Sequence, residues 1–195
     1  MLGSITPLGE RGRRSRYWLT VTAFVAGSTV AGAAAGLLAG VAGAALDLGG
    51  LSSHVRLPAI AIAVALGLAF DLRLGGLRLP SPRRQVNEDW LTAYRGWVYG
   101  VGFGAQLGVG VVTIVTSSAT YLVLVAAALT AQPGLGAAIG AAAGAARGLT
   151  ILAGARVHSP GELHGLHRRL RAWEPPVRRG AQAAMLILAI AAVAV

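Results

Sequence analysis

Uninterrupted apolar runs constrain this chain more than any other feature. Tyr17 to Leu46 passes thirty residues without a charged side chain, and Gly96 to Thr130 passes thirty-five. A bilayer core about 30 Å thick takes about 20 apolar residues to cross as a helix. A soluble core has no use for such lengths. Only 12% of the residues are charged, against about a quarter in ordinary soluble domains. The sequence therefore predicts an all-α, polytopic transmembrane helix bundle.

Five helices are expected, over residues 17–46, 57–72, 96–130, 134–155 and 180–195 of a single transmembrane domain, 17–195. A basic arm, 1–16, precedes them, and amphipathic connectors at 73–95 and 156–179 separate them. The Arg13-Arg14 pair ahead of an apolar run also suits a signal sequence, but the run is longer than a signal core. All 17 basic residues are arginine. Four lie in the arm, five in the first connector and six in the second, against one in the 47–56 loop. Arginine-rich segments stay in the cytoplasm. The expected placement is a multi-pass protein of the bacterial cytoplasmic (inner) membrane, N-terminus inside and C-terminus outside. The third helix would be about 52 Å long if straight, and a hairpin would put arginines outside. It is read as one crossing, tilted, re-entrant or broken at Thr116-Ser117-Ser118.

Small residues recur every four positions in three rows. Ser28, Gly32, Gly36 and Gly40 form one; Gly100, Gly104 and Gly108 another; Gly136, Gly140, Gly144 and Gly148 the third. That spacing puts each row on one helix face, where backbones can approach closely in lipid. The rows imply a tight bundle, a homo-oligomer or a membrane protein partner. In the connectors, Asn87 suits a helix cap, and Ser159 with Glu162 suits a capping box. Leu163, Leu166, Leu170 and Trp173 then form an apolar stripe beside Arg168, Arg169 and Arg171. That pattern fits a helix lying on the lipid surface or one that binds a partner.

The chain has no cysteine, so thiol chemistry and disulfides are excluded. No phosphate loop, nucleophile elbow or zinc-protease motif is present, and no enzymatic role, cofactor or metal is expected. His158, His164 and His167 lack a supporting ligand pattern. The net charge of +10 marks topology and indicates no nucleic-acid partner. Arg147 stands within an apolar run, where a charge is costly and usually faces protein or water. Three roles are open to it: reaching the cytoplasmic surface, locking onto carbonyls or an acid such as Asp71, or binding an anionic solute. Gln106, Thr113 and Thr120 would share one helix face, with Thr116 and Ser117 beside it. Such a stripe could line a solute path or bond to its own backbone.

From Leu57 to about Ala155 the chain resembles the CcdA/DsbD family of thiol-electron transporters, within the LysE-like group. The resemblance rests on Leu77-Arg78-Leu79-Pro80, on Gly100-Val101-Gly102-Phe103-Gly104, on the broken helix that follows, and on the Pro133-Gly134 turn. Where that family carries Cys beside Pro this chain has about Gly110-Val111-Val112-Thr113, and the family's first helix is absent. The resemblance implies a bundle with a discontinuous central helix and no redox chemistry. The expectation is thus a small permease-like transporter, with Arg147 and the hydroxyl stripe as its path. The alternative is a non-catalytic membrane subunit or scaffold that holds partners through its glycine faces.

Overall fold

The computed structural model describes residues 5–77, 79–81, 89–112, 115 and 117–194. The described residues contain helices and no strand. They form α1 (Pro7–Gly12), α2 (Tyr17–Ala45), α3 (Ser53–Asp71), α4 (Trp90–Ala93), α5 (Gly96–Val109), α6 (Ala119–Leu129), α7 (Pro133–Leu149) and α8 (Pro160–Ala194). Short 3₁₀ turns extend α3 and α7. Among the described residues, three segments are long and apolar enough to cross a membrane: Tyr17–Ala45, His54–Asp71 and Pro133–Gly154.

α2 is the hub. Its Ser28–Gly40 row meets the α7 row antiparallel, Gly32 against Gly140 and Gly36 against Gly136. No side chain intervenes, so main chains touch and dispersion acts at its shortest range. At Gly40 an added Cβ would lie 2.8 Å from the Gln132 carbonyl oxygen. The α5 row meets the neighbouring face of α2 running parallel, with Gly100 at Thr20, Gly104 at Phe24 and Gly108 at Ser28. Ser28 sits where the three helices converge, and its buried hydroxyl donates to the Gly144 carbonyl at 2.7 Å. All three glycine rows are thereby consumed inside one chain.

The long third run is broken. α5 stops at Val109, Gly110 takes a left-handed φ of 79°, and α6 starts after Ser118. Gly43 near the end of α2 packs on Ala128 near the end of α6. α5 and α6 therefore follow one another along α2 in the same direction, as a single interrupted pass. Fourteen residues of α5 rise only about 21 Å, too little to cross alone.

Most of the second connector and of the last expected segment, residues 160–194, join in α8, one helix of 35 residues with Pro175 and Pro176 inside it. Those prolines free the carbonyls of Arg171 and Ala172. Both residues are exposed, so polar surroundings can satisfy them. α8 packs with α3, and its Met185 accepts from the hydroxyl of Ser118, just before α6, at 3.6 Å.

Candidate functional site

The break is held from both sides by charge. A helix end leaves backbone groups unpaired, and at membrane depth these need protein partners. At the start of α6, Asp71 accepts from the Ser118 N–H at 2.8 Å and from the Ser117 hydroxyl at 2.9 Å. A carboxylate there also meets the positive end of the helix dipole. At the end of α5, the Arg147 guanidinium reaches the Gly108 carbonyl at 3.5 Å. A cation there suits the negative end. An added Cβ on Gly110 would meet Arg147 Nη1 at 2.9 Å and Thr120 Cγ2 at 2.7 Å. Space and positive φ both require glycine at this position.

Arg147 is thus in contact with a carbonyl, while Asp71 is engaged by Ser117 and Ser118 and not by Arg147. Gln106 lies half-buried on α5 and Thr120 half-buried on α6, on separate helices. Thr113 and Thr116 lie outside the described residues, as does Asn87. The Val115 N–H donates to the Ser81 hydroxyl at 2.8 Å, and the Tyr121 hydroxyl donates to the Pro80 carbonyl, tying the break to the chain that follows α3.

A second polar cluster has no counterpart in the sequence reading. Glu10, the only acid before Asp47, is fully buried. Its carboxylate accepts from the Tyr99 hydroxyl at 2.6 and 2.7 Å, from Arg13 at 2.7 Å and from the Thr20 hydroxyl at 2.9 Å. Arg13 also stacks over the Tyr99 ring at 5.6 Å. Partial burial opposes the Arg13 charge, but the bonds to Glu10 and Tyr99 outweigh it and hold its pKa above the ordinary value. The basic arm is consequently docked. Ile5 joins Val21, Phe24, Tyr99, Phe103 and Ile151 in the core, and the Leu8 N–H donates to Val157 at 3.1 Å. The signal in sequence was a lone carboxylate amid arginines.

α8 opens on the expected capping box. Glu162 accepts from the His158 and Ser159 N–H groups at 2.7 and 3.1 Å, while the Ser159 hydroxyl accepts from the Glu162 N–H at 3.3 Å. Those bonds, the one from His158 foremost, hold the Glu162 carboxyl below its usual range. His164 Nδ1 lies 2.8 Å from the Pro160 carbonyl and His158 Nδ1 lies 3.1 Å from that of Arg156. Beyond the cap, Trp173 and Val177 are 65% and 61% exposed, so the far end of the apolar stripe is uncovered.

Together these features define a helical membrane protein in which α5 and α6 are separated by a break, with Arg147 and Asp71 bonded to the two broken ends. Two curated relatives share its sequence, both called methylamine utilization protein MauF. The one from Methylorubrum extorquens is 34% identical over 69% of this chain and 47% of its own length. The one from Paracoccus versutus is 31% identical over 65% and 46%. The chain spans about half the length of these relatives. No family model matches, and no solved structure matches. The MauF likeness overturns the resemblance to CcdA/DsbD and LysE-like transporters, and with it the transporter expectation. The glycine pattern that suggested that kinship is a packing device, which lipid imposes on unrelated bundles alike.

Proposed function

We propose that this chain is a non-catalytic membrane subunit serving methylamine utilization, and that it holds a partner protein. The observation that carries the reading is the 31–34% identity to MauF over about two thirds of the chain. Two structural features support it. The intramembrane charges Arg147 and Asp71 are engaged with helix ends, which leaves a helix break built for rigidity. The glycine faces are occupied internally, so a partner needs another surface, and the exposed part of α8 around Trp173 and Val177 offers one. The arginine distribution supports an N-terminus and α8 start in the cytoplasm of a bacterial inner membrane, with the C-terminus outside.

Deleting the gene should abolish growth on methylamine as sole carbon source and spare growth on other substrates, with rescue by the intact chain. A photocrosslinker at Val177 should capture a protein of the methylamine system. Unimpaired growth on methylamine, or turnover of methylamine by the purified chain alone, would overturn the proposal.

A further inference from the structure

The 3₁₀ turn that ends the Pro133–Gly154 span and the first turns of α8 flank an open pocket of about 740 Å³. Its lining is of two chemical kinds. Leu152, Val157 and Leu166 supply apolar wall, and Arg156, Arg168 and Arg169 supply guanidinium groups. None of these three arginines forms an ion pair among the described residues. The acid in the lining, Glu162, is engaged by the His158 and Ser159 amides at the start of α8. The position adds a third fact. The wall continues a membrane-spanning segment, so the pocket lies where acyl chains give way to headgroups.

We infer that this pocket binds the headgroup of an anionic phospholipid, its phosphate held by Arg156, Arg168 and Arg169 and its acyl chains running along Leu152. Arginine forks match phosphate oxygens in paired hydrogen bonds, and basic pockets at the ends of membrane helices suit acidic headgroups. An acidic protein segment would use the charges but has no need of a wall continuous with the lipid core. The inference goes beyond the accessory role. It rests only on the membrane placement of α7, so its failure leaves the methylamine reading intact.

The test uses the full chain in mixed micelles of phosphatidylglycerol and phosphatidylcholine, with retained lipid read by native mass spectrometry. The wild-type chain should retain phosphatidylglycerol at least tenfold over phosphatidylcholine. Arg156→Gln/Arg168→Gln/Arg169→Gln should bring that ratio near one. Arg171→Gln/Arg178→Gln/Arg179→Gln, which removes equal charge from further along α8, should leave it unchanged. Equal retention of the two lipids by the wild-type chain overturns the inference, even where the triple variant fails to fold; Arg168→Gln alone then serves as the milder variant. Equal loss in both triple variants overturns it in favour of diffuse charge. Displacement of the lipid by millimolar inorganic phosphate overturns it in favour of a soluble anion.

Discussion

Glu10 shows how much one carboxylate can organise. Its hydrogen bonds draw together α1, the start of α2 and α5, with Tyr99 lying 89 positions along the chain. Burying a charge is tolerable only when partners replace its water, and Glu10 has Arg13, Tyr99 and Thr20. Glu10→Gln keeps the shape but removes the charge and an acceptor oxygen, leaving Arg13 half-buried beside Tyr99. The expected loss is about 1–3 kcal/mol, read as a lower melting temperature in detergent and as faster amide exchange at Leu8 and Ser15. Their N–H groups are bonded to Val157 and Glu10 carbonyls. Unchanged exchange there would mean that Ile5 and Pro7 hold the arm by packing alone. Beyond the lone acid itself, none of this was legible in sequence. A carboxylate among arginines looks like surface, and nothing local to residue 10 announces a partner at residue 99.

Among the elements, the interrupted pass was legible and its closure was not. Excess length and the arginine count pointed to one crossing that was tilted, re-entrant or broken, because an upright straight helix would be overlong and a hairpin would misplace charge. Which groups satisfy the broken ends depends on how α3 and α7 pack, and Asp71 and Arg147 could equally have paired with each other. The arrangement makes that distinction measurable. Asp71→Asn and Arg147→Gln should each destabilise by about 1–2 kcal/mol through loss of a charge at a helix end. Because they act on different ends, the double variant should add to within about 0.5 kcal/mol. A larger coupling in detergent melts would reveal a direct ion pair instead. At α8 the cap is a pH matter. Glu162 sits below its usual range, so its contribution is present above the unfolded carboxylate value near 4.3 and is lost as pH falls through the folded one. The His158 and Ser159 amides should lose their protection in that acid window, as read by NMR, and in Glu162→Gln at neutral pH. Protection that persisted in Glu162→Gln would assign the cap to Ser159 alone.

At the scale of the molecule, stability comes from main chains in direct contact, and this gives glycine opposite values at two places on one interface helix pair. Sequence spacing identified the rows as faces, but identical residues every four positions cannot specify which faces meet or in what register. Those follow from the whole set of helices. α2 is shared because it carries small residues on two adjoining faces, Gly32 and Gly36 towards α7 and Ser28 towards α5 as well. At Gly36 an added Cβ would collide with the backbone of Gly136 and Gly140, and backbone cannot rotate away as a side chain does. Gly134, in the first turn of α7, has nothing within 4 Å of the same added atom. Gly36→Ala should therefore destabilise by about 1–3 kcal/mol, as overpacking does. Gly134→Ala should stabilise by up to about 1 kcal/mol, by restricting the unfolded chain and favouring helix. Melting both variants in one detergent removes differences of solvent from the comparison. Two changes of like sign would place the α2–α7 contact elsewhere. The opposite signs are required if α2 and α7 touch along Gly32 and Gly36, because the same methyl group then meets main chain at one site and open space at the other.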